Sequence, residues 1–210
     1  CNPRQGAGSV TSANRPTIAS PCAATEPGNP HRDLYRASRK SGWKEVDRIT
    51  ATPLYGEVTL SLACDGRGAL WTDRRLDGQP RMGLYEVRWT QRAIEVVGPL
   101  NDLHRGDVSN ENFALISPDG STLVFANFDV GGNSGDEDLF VVMREGDGWS
   151  EPRGLGAAIN TPDTETSPHF TGDGRMLFRS ADEAGSGFFG VPLAEIGLGS
   201  VAAQTGRAVP

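Results

Sequence analysis

This sequence predicts an all-β fold assembled from repeated units of short antiparallel strands, and three observations carry that expectation. An Asp-Gly pair recurs at Asp65-Gly66, Asp119-Gly120 and Asp173-Gly174, two equal intervals of 54 residues. A short apolar burst follows each pair, as Ala69-Leu70-Trp71, Leu123-Val124-Phe125 and Met176-Leu177-Phe178. Gly and Pro are abundant, at 27 and 14 of 210 residues, which suits frequent turns between short strands rather than long helices.

Each element of the unit has a mechanical reason. A Glu stands eight residues before each Asp, as Glu57, Glu111 and Glu165. In Ser117-Pro118-Asp119-Gly120 the proline presets φ and the glycine takes the φ > 0 position, so the first two strands meet in a tight hairpin. A second apolar pair, recurring as Leu34-Tyr35, Leu84-Tyr85, Leu139-Phe140 and Phe188-Phe189, marks a third strand. The segments around Trp43-Lys44-Glu45-Val46, Ile94-Glu95-Val96-Val97 and Gly148 to Arg153 read as short fourth strands. Four antiparallel strands per unit of about 50 residues is the pattern of a β-propeller blade.

A blade hides its two apolar faces only by stacking on its neighbours. Blades are expected at about 54–103, 108–160 and 165–200, preceded by a half blade at 33–49 that has only the third and fourth strands. Propellers use about four to eight blades. About three and a half blades therefore read as part of a larger ring. Residues 1–30 read as a flexible head, 31–200 as the propeller repeats and 201–210 as a loose tail.

The register resembles a known family, the WD40-like β-propeller repeats of the TolB type found in bacterial envelope proteins. The stretch from Ile159-Asn160-Thr161-Pro162-Asp163 through Glu165, Ser167-Pro168 and Asp173-Gly174 to Phe178 is similar to that family's motif. Asn110-Glu111-Asn112-Phe113, Ser117-Pro118-Asp119-Gly120 and Phe125 repeat it, and Gly148-Trp149-Ser150-Glu151-Pro152 matches the part that follows. The copy at 54–103 departs, with Ala63-Cys64 in place of Ser-Pro before Asp65. The resemblance spans about 33–193 and implies scaffold or binding roles more than any one chemistry.

Charge and composition exclude several function classes. Twenty Lys and Arg against 27 Asp and Glu leave a net charge of −7, unsuited to a phosphate-neutralising surface, so no nucleic-acid partner is expected. The longest core-like apolar run is Leu139-Phe140-Val141-Val142-Met143, far short of the roughly 18 residues of a spanning helix. Three cysteines, Cys1, Cys22 and Cys64, show no metal-ligand spacing. Cys1 followed by a Gly-, Ser- and Pro-rich stretch fits a lipidated, tethered N-terminus, and equally an arbitrary truncation point. Cys22 and Cys64 are expected as free thiols, with a bridge in an oxidising compartment as the alternative.

The candidate ligand-binding residues are Glu57, Glu111 and Glu165, read as a carboxylate ring near a central channel, with His169 and Arg179 beside them. The competing reading of the three glutamates is structural, since each recurs in every copy and accepts backbone N–H groups at a turn. His31 and His104 lack any nucleophile or metal partner spacing, and the loop Asp129 to Asp138, acidic and glycine-rich, lacks the order of ligands of a calcium loop. The Asp-Gly turns also lack the intervening residue of a sialidase-type Asp box. No cofactor, metal site or catalytic residue is expected. The function expected is a non-catalytic binding or scaffold module of the cell envelope, extracytoplasmic and with a protein or glycan partner. The alternative is a carbohydrate-active propeller hydrolase or lyase working at the channel mouth. Self-association through exposed terminal strand edges is a third expectation.

Overall fold

The computed structural model of the chain describes residues 22–24, 33–37, 46–49, 57–72, 83–90, 93–100, 111–128, 136–199 and 201. Its strands form four antiparallel sheets that follow one another along the chain. The first contains β1 (Cys22–Ala24), β2 (Asp33–Ala37) and β3 (Val46–Ile49). The second contains β4 (Glu57–Leu62), β5 (Arg67–Thr72), β6 (Gly83–Trp89) and β7 (Ile94–Pro99), in that spatial order. The third holds β8 (Glu111–Ile116), β9 (Thr122–Asn127) and β10 (Asp138–Glu145), with β11 (Gly148–Trp149) and β12 (Arg153–Gly154) both pairing with β10. Pro152, which has no N–H to give to a ladder, falls between β11 and β12, where the fourth strand is interrupted. The fourth sheet is β13 (Thr164–Phe170), β14 (Arg175–Asp182) and β15 (Gly185–Pro192).

The core is three apolar seams, one between each pair of successive sheets. Leu34 and Ile49 of the first sheet meet Leu60, Leu70, Tyr85 and Val87 of the second. Ala69, Trp71 and Leu84, on the other face of the second, meet Leu123, Phe125, Phe140 and Val142 of the third. Val124, Ala126, Leu139 and Val141, on the third sheet's opposite face, meet Met176 and Phe178 of the fourth. The two middle sheets are thus apolar on both faces, which is why their second strands read as unbroken apolar bursts instead of alternating with polar residues.

The hairpin turns fix which side chains enter which seam. In each, the amide of the Asp-Gly glycine returns to a carbonyl three residues back: Gly66 to Ala63, Gly120 to Ser117 and Gly174 to Thr171. The three glycines have φ of 89°, 75° and 81°, where a Cβ is strained. The flanking register pairs are Leu62 with Gly68, Ile116 with Leu123, and Phe170 with Met176. The third sheet's turn therefore holds one residue more than the other two. That extra residue flips the alternation of β9, so Leu123 and Phe125 face the preceding sheet, whereas in β5 it is Leu70 that does so.

Several expectations are corrected. The head at 1–30 is not wholly without structure, because Cys22–Ala24 pairs antiparallel with β2. The half blade at 33–49 accordingly has three strands rather than two, and its last strand begins at Val46; Trp43 lies outside the described residues. The blade at 165–200 has no fourth strand among the described residues. After Pro192 the chain turns back, and Leu193, Ile196, Leu198 and Val201 insert into the third seam, so the packed chain reaches Val201 and only 202–210 of the expected tail lie outside the described residues. Cys64 is disulfide-bonded and not a free thiol; its partner's side chain lies outside the described residues. In the acidic loop, residues 129–135 are outside them too, while Glu137 and Asp138 are buried at the start of β10 and join no metal-ligating group among the described residues.

Two outcomes are expected. Phe125, fully buried in the second seam, should cost about 4 kcal/mol on replacement by alanine, measured as a lowered urea midpoint at unchanged slope. Reducing the Cys64 disulfide should remove about 2–4 kcal/mol, read as the difference in urea unfolding with and without a phosphine reductant.

Candidate functional site

The three repeated glutamates occupy one register position. Glu57 pairs with Thr72, Glu111 with Asn127 and Glu165 with Ser180, each opposite a hydroxyl- or amide-bearing residue near the end of the second strand. The Glu57 and Glu111 side chains lie outside the described residues. Glu165 is fully buried. Its Oε2 accepts the Thr161 amide at 2.9 Å, and its Oε1 accepts the Thr161 hydroxyl at 2.7 Å and the Ser180 hydroxyl at 2.9 Å. The carboxylate is consumed in tying the connector before β13 to the fourth sheet, so at this copy the reading as an open, channel-facing ligand is corrected.

The same connector is pinned at Asn160. Its Nδ2 donates to the Leu139 carbonyl at 3.0 Å and its Oδ1 accepts the Leu139 amide at 3.1 Å, a side-chain amide standing in for a strand neighbour. Two residues after Glu111 and Glu165, Phe113 and Ser167 have φ of 47° and 54°, at bulges in β8 and β13. The bulge turns Phe113 onto Trp71, with ring centroids 4.9 Å apart.

His169 and Arg179 do not join Glu165. His169 pairs across the ladder with Leu177, and Arg179 is two residues from Leu177, so both lie on the face away from the third sheet. Glu165 and Ser180 lie on the face with Phe178, toward the third sheet. The sequence candidates are therefore split between two faces of one sheet.

Among the described residues, two of the surface clefts stand at strand ends. The smaller, about 200 Å³, lies between the rims of the second and third sheets and is lined by Glu86, Pro99, Leu100, Asp147 and Trp149. Its walls already serve the fold: Arg144 donates to Glu86 at 2.8 Å across the two sheets, and its guanidinium lies 4.2 Å from the Trp149 ring centroid. The larger, about 320 Å³, opens where β13 begins, β14 ends and β15 begins, and is lined by Asp163, Ser180, Asp182, Ser186 and Phe189 among others. Phe189 is 53% exposed, with its ring held 6.0 Å from that of Phe178. Asp182 Oδ1 accepts the Ala184 and Gly185 amides, which fixes the turn at the cleft's edge.

An aromatic platform ringed by carboxylates and hydroxyls matches the chemistry of a polyhydroxylated ligand: C–H faces stack on the ring and hydroxyls donate to the acids. Sequence reasoning missed Asp163, Asp182 and Ser186, and read Phe189 only as half of a third strand's apolar pair. The available signal was Gly185-Ser186-Gly187-Phe188-Phe189-Gly190, the one third-strand segment whose apolar pair is bracketed by glycines.

With this geometry the molecule belongs to the β-propeller-like folds. Among solved structures it is similar to a TolB described from Agrobacterium tumefaciens, at 12% identity and a TM-score of 0.50, over 85% of this chain and 60% of that one. The chain thus spans little more than half of that neighbour. It is also similar to a puromycin-hydrolyzing peptidase of Mycobacterium tuberculosis, at 15% identity and a TM-score of 0.44, over 83% of this chain and 29% of that one. A third similarity is to a prolyl endopeptidase, at 19% identity and a TM-score of 0.40, over 78% of this chain and 23% of that one. No family model matches the chain, and no curated protein matches it in sequence. At 12% identity the likeness to the Agrobacterium tumefaciens structure concerns the fold.

Replacing the buried Glu165 by alanine should cost about 2 kcal/mol, since it takes the shared acceptor from the half-buried Thr161 and Ser180 donors together. Urea unfolding measures the loss, and a variant as stable as the parent would contradict the clamp.

Proposed function

We propose that this chain is a non-catalytic binding module of the cell envelope, and that the cleft beside Phe189 takes a glycan. The observation that carries the reading is the convergence of Asp163, Asp182, Ser180 and Ser186 around an exposed phenylalanine in a cleft of about 320 Å³, a volume suited to one or two sugar rings. The disulfide at Cys64 supports an extracytoplasmic setting, because such bonds persist in oxidising compartments. The likeness to a TolB structure agrees with a propeller that presents a surface, with a protein partner as the other ligand class. Cys1 is the residue that would carry a lipid anchor, which intact mass of the natively expressed protein checks.

A hydrolase or lyase reading has one observation in its favour, two carboxylates lining one cleft. Against it, Asp182 Oδ1 is already engaged by two backbone amides, leaving that carboxyl suited to shaping a turn.

The test is a glycan array followed by calorimetry on the best-bound sugar. Phe189→Ala and Asp163→Asn should each weaken binding about tenfold while leaving the urea midpoint nearly unchanged. Sugar affinity indifferent to both substitutions, or chain cleavage of the bound glycan, would sink the reading.

A further inference from the structure

The fourth sheet ends on an edge unlike any other among the described residues. The Leu193 amide donates to the Gly174 carbonyl at 3.0 Å, making these two a bonded pair that continues the β14–β15 ladder. Antiparallel pairs alternate between bonded and non-bonded, so Ser186, Phe188 and Gly190 take non-bonded positions, and their N–H and C=O groups point away from β14. In the second and third sheets the corresponding edge is covered by β7 or by β11 and β12. Here, among the described residues, no strand covers it.

Edge strands usually carry charge that discourages pairing, as Glu95 does in β7 and Asp47 and Arg48 do in β3. The eight residues of β15 carry none, and Phe188, at 76%, is the most exposed large apolar residue described. Charge stands only at the two ends. At one, Arg175 Nη2 reaches across the strand to the Gly190 carbonyl at 2.7 Å. At the other, Asp182 and the exposed Glu183 form the turn that leads into β15.

We propose that β15 is an interface between two copies of this chain, which pair their β15 edges antiparallel about a two-fold axis and join two three-stranded sheets into one. Only an antiparallel arrangement sets the Arg175 end of each strand beside the Asp182-Glu183 end of the other, so the edge is complementary to itself in charge. In the register that uses every edge-facing residue, Phe188 meets Phe188 of the second copy on the axis, and Ser186 lies opposite Gly190. Ser186 and Phe188 then complete their backbone hydrogen bonds, and the Gly190 carbonyl accepts a second bond beside the one from Arg175. A two-fold contact of this kind closes on itself and stops at the dimer. This surface shares Ser186 with the proposed glycan cleft, while Phe188, on its axis, does not line that cleft.

Sedimentation equilibrium of the full 210-residue chain, paired with amide hydrogen exchange, tests it. The expected result is a dimer in which exchange at Ser186, Phe188 and Gly190 slows as concentration rises. Phe188→Lys should raise the dimer Kd about tenfold or more by placing a charge on the axis, with an unchanged urea midpoint for the monomer. Glu183→Arg should weaken the dimer, and adding Arg175→Glu should restore it, a rescue that simple destabilisation would not produce. A monomer at all concentrations, assembly beyond the dimer, a dimer indifferent to Phe188→Lys, or a failed charge swap would each overturn the proposal.

Discussion

Face-to-face burial of apolar side chains between successive sheets is the constraint on which this molecule rests. A four-stranded sheet with one polar face could stand at the end of a stack, but a middle sheet must be apolar on both. Leu70 and Tyr85 facing one way and Trp71 and Leu84 the other meet that demand in the second sheet, as Leu123 with Phe125 and Val124 with Ala126 do in the third. Because side chains alternate strictly along a strand, the register of each hairpin decides which residues enter which seam. The six-residue turn of the third sheet between two five-residue turns therefore does not break the repeat; it exchanges which apolar residues look forward and which look back.

Polar groups are arranged around this stack so that few backbone groups are lost to burial. The Asp-Gly turns return their amides within three residues, and the first two sit side by side, with the Cys64 amide donating to the Pro118 carbonyl of the next sheet at 2.7 Å. The connector into the fourth sheet is held by the Asn160 amide on Leu139 and by the Glu165 carboxylate on Thr161. Buried hydrogen bonds of this kind contribute less through their net energy than through the cost of leaving any one unmade. They set the positions of Asp163 and Ser180, two walls of the larger cleft, on well-tied chain.

The two proposed binding surfaces gather where the repeat fails. The second and third sheets have a strand outside their third; the fourth instead sends its chain back through Leu193, Leu198 and Val201 into the seam. That detour completes the third core, and among the described residues it leaves β15 uncovered, with Phe189 beside a cleft and Phe188 at an uncharged edge. The residues that would bind a ligand or a second copy are in this way the ones the repeating pattern releases from packing.

The Asp-Gly spacing, the apolar bursts and the alternation of strand and turn residues determined the all-β class, the blade unit and the hairpins, because turn chemistry and strand periodicity act over a few neighbouring residues. The same local information placed Glu165 in a repeated position without revealing that Thr161 and Ser180 would consume its carboxylate. Only the tertiary structure decided that His169 and Arg179 lie across the sheet from Glu165, that Asp163, Asp182 and Phe189 share one cleft, and that β1 extends the first sheet. Those outcomes depend on one-residue shifts of register and on long-range closure, and a shift of one residue moves every later side chain to the opposite face while leaving the composition of the strand unchanged.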